Sequence, residues 1–591
     1  MDTVGSGCMS CSIPGMEDAG CIFLFGYNPA DSHPIVARRI VRAKEKGCKI
    51  IVADPRHIET ARIADIYLPI KNGCNVAFLN AFANCLVNDG LYDKEFVAEH
   101  TNGFDEWWET IKNYTPESVQ DITGVDPALI HQAAEMYATA KPSAIIGWGM
   151  GVCQQKQNLK TVHTIASIAC VAGRSANPIP ASRPCAVRIT FRAPAIWACC
   201  PTCTLATRKS PTPPLAPSLP SWGVPEEKLP LEEGYKLTDL GHLVDEGKVH
   251  CFYNYGEDPV QTEPDSAGMR KTLSELDLFI CQDIFMTQTT MLADVILPAT
   301  SWGEHEGVFT ASDRSFQHFD AAVPPKGECR HDWEIFADLS TRMGYPMHYD
   351  NTEQIWNECI SLCPNFVGAT YEKMAPEGGY AQWPVKSTDV NDHGTPDMFA
   401  GGKFTTKDGR ANLMAHDWEA PSELPDDEYP LILCTVREVG HYSCRSMTGN
   451  CKTLALLADE PGFVRMNPAD AEARGIKNGD IVSIHSRRGQ VYSRADVSDR
   501  INKGTVYMTY QWWIGKCNEL TMHKVDPVSH TPEDKFSACQ VDAIADQVWA
   551  EGEVERQYTE LKQALVDAAA PQDVEPGAAK FDDETHVNQI V

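Results

Sequence analysis

Residues 21–33, C-I-F-L-F-G-Y-N-P-A-D-S-H, and residues 49–56, K-I-I-V-A-D-P-R, each set a short apolar run against a polar exit. Cys21 to Gly26 and Lys49 to Val52 read as β-strands, and the stretch between them reads as a polar turn and a helix, so the segment is a βαβ unit. In such units ligands sit beyond the carboxyl ends of the strands. The turn Tyr27 to His33 occupies one such end, although no G-x-G-x-x-G follows the strand, so the usual dinucleotide fingerprint is missing.

Working outward, Ser143 to Gly147 reads as a further strand, Trp148-Gly149-Met150-Gly151 as a Gly-rich turn, and Gln157 to Val171 as a helix. A second α/β region spans Val249 to Thr300, with strand-like runs at Val249 to Asn254, Leu276 to Gln282 and Asp294 to Leu297. Polar residues crowd these exits too: Tyr255-Gly256-Glu257-Asp258-Pro259 after the first run, Asp283 to Thr287 after the second. From Tyr429 the pattern changes to short strands and tight turns, among them Asn478-Gly479-Asp480 and Arg488-Gly489, and predicts a small β-barrel.

The bulk properties limit what such a chain can do. A length of 591 residues suggests about four domains. With 43% hydrophobic and 22% charged residues the composition is that of a globular protein, and no apolar run approaches the roughly 18 residues of a membrane helix. Met1 to Gly20 has neither a basic nor an apolar leader region, so a cytoplasmic location is expected. A net charge of −30 argues against nucleic acid as a partner. Twenty-two cysteines without a leader read as reduced thiols or metal ligands.

Several strings occur in a fixed order: F-G-Y-N-P-A-D-S-H at 25–33, D-P-R at 54–56, W-G-M-G at 148–151, G-E-D-P at 256–259, A-D-V-I-L-P at 293–298 and S-W-G-E-H-E-G at 301–307. Together they resemble the molybdopterin oxidoreductase superfamily. The runs T-V-R-E-V-G-H-Y-S-C-R-S-M-T-G-N at 435–450 and M-T-Y-Q-W-W at 508–513 are similar to formate dehydrogenases of the formate-hydrogenlyase type. The likeness covers nearly the whole chain except about 175–221 and the tail. It implies an α/β fold, with Rossmann-like domains of the molybdopterin oxidoreductase type and a C-terminal β-barrel of the double-psi type. The expected division is 1–174 for the α/β domain at one pterin guanine dinucleotide and 223–308 for a second α/β domain. Residues 309–425 would be the rest of the catalytic core, 426–568 the barrel, and 569–591 a disordered tail.

The resemblance also implies a chemistry. In the family, one molybdenum (or tungsten) is held by two molybdopterin guanine dinucleotides and a selenocysteine or cysteine, and an N-terminal domain carries a [4Fe–4S] cluster. Formate is oxidised to carbon dioxide, an active-site His and Arg orient it, and the electrons leave singly through the cluster. An iron–sulfur electron-transfer protein or a hydrogenase complex is the expected partner. Direct membrane insertion and nucleic acid are not expected.

Residue by residue, Asp31 and Asp54 offer acceptors for a guanine's N–H donors, although either alone reads as a turn cap. Asn28, Arg56, Asn72, Gly73 and Asn75 are carried over as cofactor contacts, and Met150 and Gln154 as neighbours of the pterins, the alternative for the latter two being a plain βα turn. Asp283, Thr287 and Asp313 are carried over to the second guanine nucleotide, with Gly256, Glu257 and Asp258 as its loop. The stretch Arg437, Glu438, Gly440, His441, Tyr442 and Ser443 offers backbone N–H groups, a guanidinium and an imidazole, a mix suited to a diphosphate and a pterin edge. Asn518 and Lys535 complete that side, against the alternative of a solvated loop. No catalytic residue and no metal ligand is assigned. Glu304-His305-Glu306 lacks metal-motif spacing and is read as structural. Cys8-x-x-Cys11 is weak without a second pair.

The family's cluster cysteines and metal ligand precede the stretch that Met1 begins, so a chain opening just after a selenocysteine codon, inactive by itself, is expected. A non-catalytic pterin-binding or structural subunit is the alternative, and a nitrate reductase the rival within the family. Residues 175–222 form a Pro-rich stretch without periodicity and are expected to be a frame-shifted reading. C-A-V-R-I-T-F-R-A-P-A-I-W at 185–197 can be encoded so that a shift of one base spells V-R-G-Q-N-N-V-Q-G-A-C-D-M, the family's motif with its active-site Arg. Cys199, Cys200 and Cys203 would then be artefacts of frame.

Overall fold

The structure is a computed structural model and describes residues 2–173, 234–456 and 460–569. The frame-shift reading of 175–222 and the expected tail beyond Ala569 lie outside the described residues.

The opening βαβ unit grows into a four-stranded parallel sheet in the order β3-β2-β1-β5, built from β1 (Cys21–Phe25), β2 (Lys49–Ala53), β3 (Ile66–Leu68) and β5 (Ala144–Trp148). The short β4 (Thr101–Asn102) lies apart from it. Every residue of β1 and β5 is buried. Cys21, Phe23 and Phe25 join one apolar cluster with Phe78, Phe82 and Tyr137, while Ile22 and Leu24 join another with Val36 and Ile40. Helices therefore cover both faces, as a parallel sheet requires, and the unbroken apolar run of β1 is the consequence.

The expected strand limits move by one or two residues. Gly26 ends β1 instead of belonging to it, since φ of +54° turns the chain away, and Trp148 joins β5 because it stands opposite Phe25. Val249 does not open a strand: its N–H closes the preceding helix on Leu243, and β6 starts at Cys251.

The second α/β unit holds β6 (Cys251–Tyr255), β7 (Leu278–Asp283) and β8 (Val295–Pro298), all parallel. Phe279 and Cys281 pack there on Leu240, Val260 and Met269. Next come the antiparallel β9 (Gly307–Thr310), β10 (Ser315–Phe319) and β11 (Ala381–Gln382), backed by Ile360, Phe366 and Trp383. The chain then returns to the first unit, where β12 (Ala411–Asn412) pairs with β4, and Phe404 and Leu413 enter the first core.

The predicted barrel is present and closed, in the order β13-β17-β14-β16-β15-β18. Its strands are β13 (Leu431–Val436), β14 (Phe463–Met466), β15 (Ile481–His485), β16 (Gln490–Val497), β17 (Thr505–Thr509) and β18 (Ser537–Ala543). The pairs β13–β17 and β14–β16 are parallel and the others antiparallel, so this is not a simple meander. Val464, Ile484, Val506 and Val541 fill it. Among the described residues no helix is long and apolar enough to cross a membrane.

Candidate functional site

The exits of β1, β2 and β5 open onto one cleft of about 600 Å³, and the barrel and the β6 exit close its other side. Close backbone approach forms its floor. A Cβ on Gly151 would sit 2.7 Å from the Gly26 carbonyl oxygen, and one on Gly149 3.0 Å from the same atom, so only glycine lets the two exits touch.

At the β1 exit, Asn28 donates its Nδ2–H to Asp31 at 2.6 Å, while the buried Asn28 Oδ1 has no partner among the described residues. Burial first, and then the nearby Glu438 carboxylate, push the Asp31 carboxyl up to about 6. At the β2 exit Asp54 is buried and accepts from the Arg56 N–H at 2.9 Å; burial raises its carboxyl too. The Arg56 guanidinium lies 5.4 Å over the Tyr507 ring, and Tyr507 donates its hydroxyl to Asn72 at 3.2 Å. Asn75 donates to the Gly151 carbonyl at 3.1 Å and Gln154 donates to Asp534, so the Gly-rich turn is held from two sides. Met150 lines the same wall.

From the barrel, Lys535 donates to the Thr435 carbonyl and hydroxyl oxygens at 2.7 and 2.8 Å, and burial pulls its ammonium pKa down. A depressed lysine beside a cleft is an ammonium short of counter-charge. Arg437 stacks 5.0 Å over Tyr442, and its buried Nε lacks a partner among the described residues. Tyr442 and Ser443 line the cleft, Ser443 at a φ of +44°. Asn518 also lines it and donates to the Gln261 and Thr262 carbonyls at 3.1 and 2.9 Å. Glu257 is the member of the Gly256–Asp258 loop that reaches the wall.

The remaining expected residues lie outside that wall. Gly73, at φ +80°, is wedged beside Pro421. Asp258 accepts from the Thr289 hydroxyl at 2.6 Å, and Asp283 caps the Ile284 and Phe285 N–H groups at 2.6 and 3.2 Å. Burial raises both carboxyls, Asp283 to about 6. Thr287 and Thr290 cap each other's N–H groups. Asp313 accepts from the Ile13 N–H at 2.9 Å and the Ser315 hydroxyl at 2.7 Å. Glu438 pairs with Arg465 at 3.4 Å, and Gly440 faces open space. His441 is buried, bonds Thr448 through Nδ1 at 2.9 Å and leaves Nε2 without a partner among the described residues; burial, then Arg445, hold it near 4, so it is neutral.

The cleft also uses residues to which the motifs assigned no role: His33 and Tyr510, which lie inside the quoted strings, and Gln155, Tyr507 and Asp534, which lie outside them. His33 is neutral as well, held near 4 by burial and then by Arg437. The signal for Gln155 and Asp534 was adjacency to Gln154 and Lys535; nothing local marks Tyr507. Of the Glu304-His305-Glu306 triplet, Glu304 caps the Ser301 and Lys326 N–H groups at 2.7 and 3.1 Å, a structural role.

In chemical terms, cations (Arg56, Arg437, Lys535) and acceptor-only carboxylates (Asp31, Asp54) share the cleft with unsatisfied buried polar atoms and a glycine floor. Such a donor set fits an extended anionic nucleotide: guanidinium and ammonium groups for a diphosphate, carboxylates for a base's N–H edge.

The chain is similar to known proteins. Residues 1–342 match the family described as molybdopterin oxidoreductase, and residues 431–538 the molydopterin dinucleotide binding domain. Formate dehydrogenase H of Escherichia coli (strain K12) is 50% identical over 568 residues, 96% of this chain and 79% of that protein. The F420-dependent formate dehydrogenase subunit alpha of Methanocaldococcus jannaschii is 37% identical over 91% of this chain and 79% of that one. Among solved structures, acetylene hydratase from Pelobacter acetylenicus superposes with a TM-score of 0.71 at 21% identity, over 92% of this chain and 80% of that chain, a likeness of fold alone.

Proposed function

The chain belongs to the molybdopterin oxidoreductase family, and on that premise we propose that it oxidises formate to carbon dioxide with a bis(molybdopterin guanine dinucleotide) of molybdenum or tungsten. The observation that carries the reading is the cleft, where acceptors at the β1 and β2 exits stand opposite cations of the barrel, in a chain half identical to formate dehydrogenase H.

When bound, the metal–pterin group supplies the capacity to take two electrons and release them singly. The residues described here bind and orient. Asp31 and Asp54 accept from a guanine's N–H groups, while Arg56, Arg437 and Lys535 neutralise phosphate charge. The second nucleotide is assigned to the β6 and β7 exits, through Gly256 to Asp258, Asp283, Thr287 and Asp313. The neutral imidazoles of His33 and His441 add no charge beside the cations. Electrons pass to an iron–sulfur protein or a hydrogenase complex. The same reading divides the chain at 174, 222, 308, 425 and 568.

Anaerobic expression of the gene together with its upstream sequence, with cofactor maturation, followed by metal and pterin analysis and formate-dependent reduction of a viologen dye, tests the proposal. Metal, pterin and dye reduction are expected together. A loaded protein that reduces nitrate and leaves formate untouched would overturn it.

A further inference from the structure

The β9–β10 hairpin meets the dinucleotide cleft through Thr310 and Ser312 at its turn, and its open end carries a group of side chains that the proposed function does not use. Its register pairs Gly307 with Phe319 and Val308 with His318. One step beyond Gly307–Phe319, Glu306 stands across from Asp320, and His318, two residues before Asp320, shares their face. One donor atom from each of Glu306, His318 and Asp320 lies within 4.8 Å of the other two. The His318 Nε2 is 3.8 Å from an Asp320 carboxylate oxygen.

Two carboxylates facing each other across a ladder repel unless a cation intervenes. Among the described residues neither Glu306 nor Asp320 has a Lys or Arg within 4.0 Å, and the partner of Asp320 is His318 itself. The Glu306 carboxylate is held from behind, since Thr352 donates its hydroxyl to it at 2.9 Å and Tyr371 donates to Thr352 at 3.0 Å. The Tyr371 ring also packs 4.8 Å from the His318 ring. Hydrogen bonds that fix a carboxylate behind its free oxygen, and a ring that fixes an imidazole, are what orient metal ligands. Glu306 and Thr352 also line a second cavity of about 610 Å³, together with His305, His331, Glu334 and Asp350.

We propose that Glu306, His318 and Asp320 form a site for a divalent first-row cation, Mn²⁺ or Zn²⁺, beside the second cavity that Glu306 lines. Two hard oxygens and one borderline nitrogen suit those ions, and three protein donors leave sites open to water. The other such group, Cys85, Asp89 and His131, does not need an ion: His131 already bonds Asp89 at 2.6 Å.

The test titrates Mn²⁺ into the full chain and follows loss of the free-ion electron paramagnetic resonance signal; Mn²⁺ is the probe because thiols compete poorly for it. One ion per chain is expected. Asp320→Asn, at a side chain 87% exposed where folding is not at stake, and Glu306→Gln should each weaken binding at least about tenfold, while Asp89→Asn leaves it unchanged. Superimposable titrations for the wild-type chain and Asp320→Asn, or no binding to the wild-type chain, would show the group to be solvated acids only and overturn the proposal.

Discussion

Asp31 has its pKa near 6 because the cleft strips its carboxyl of water and Glu438 adds like charge. A carboxyl raised in the folded state holds its proton more tightly there, so folding is favoured at low pH and stability falls as pH rises from about 4 through 6. In cofactor-free protein, Asp31→Asn should therefore match the wild-type chain in thermal unfolding near pH 4 and exceed it at pH 7, by on the order of 2 kcal/mol. A difference independent of pH would mean that the carboxyl is not strained. His441, held near 4, acts in the opposite sense, since its contribution is present above the unfolded value of about 6.5 and is lost as pH falls toward 4. Lys535 gives a prediction about binding. Removing one charge-assisted contact costs about 1.5–3 kcal/mol, so Lys535→Met should lower the guanine nucleotide released from purified protein by about tenfold or more. Asp54→Asn, which replaces an acceptor with a donor, should do the same. Unchanged nucleotide content in both variants would remove these residues from the site.

The elements explain both what could be read ahead of the structure and what could not. The unbroken apolar run of β1 and the polar exits after β1 and β2 announce a sheet buried on both faces with a ligand at its carboxyl edge, because parallel strands leave few other patterns. The barrel was legible through its turns. What stayed hidden depends on contacts between residues far apart in the chain: Tyr507 reaching Asn72, Asp534 accepting from Gln154, and the return of Phe404 and Leu413 into the first core. No local period records such pairings. The turn of β5 against β1 can be tested directly. Gly151→Ala places a methyl 2.7 Å from the Gly26 carbonyl oxygen, and two backbones must separate. A loss of about 1–3 kcal/mol is expected, read as a lower urea midpoint with an unchanged slope. The barrel's first loop is anchored differently, through Arg445 and Glu460 at 2.5 Å with side chains 2% and 5% exposed. Glu460→Leu should cost about 3–5 kcal/mol, because it removes the carboxylate paired with the buried guanidinium between Trp512 and Trp513.

At the scale of the molecule, the cleft is where separate cores meet without sharing much apolar surface. The first α/β unit reaches the barrel through polar contacts: the bridge between Arg56 and Ile501, the His57 N–H on the Arg500 carbonyl at 2.8 Å, and the Arg500–Glu59 ion pair at 2.7 Å. The second unit reaches it through Asn518 and through Lys516, which donates to the Val260 carbonyl at 3.0 Å. The exposed Arg500–Glu59 pair contributes little, about 0–1 kcal/mol. On the proposed function, a dinucleotide held in the cleft would touch every unit at once and would bind only when they are assembled. Ligand at about a hundred times its dissociation constant adds about 2.7 kcal/mol to the assembled state. Protein freed of cofactor should therefore melt at a lower temperature and in separable steps, the barrel parting from the α/β units. The loaded protein should melt in one transition at a higher temperature. Asn518→Leu, which removes the two carbonyl contacts to the second unit, should split the transition even when cofactor is present, and calorimetry reads this directly. Identical single transitions for loaded and cofactor-free protein would mean that the units are welded by their own packing, and that the cleft is a surface feature rather than the joint of the molecule.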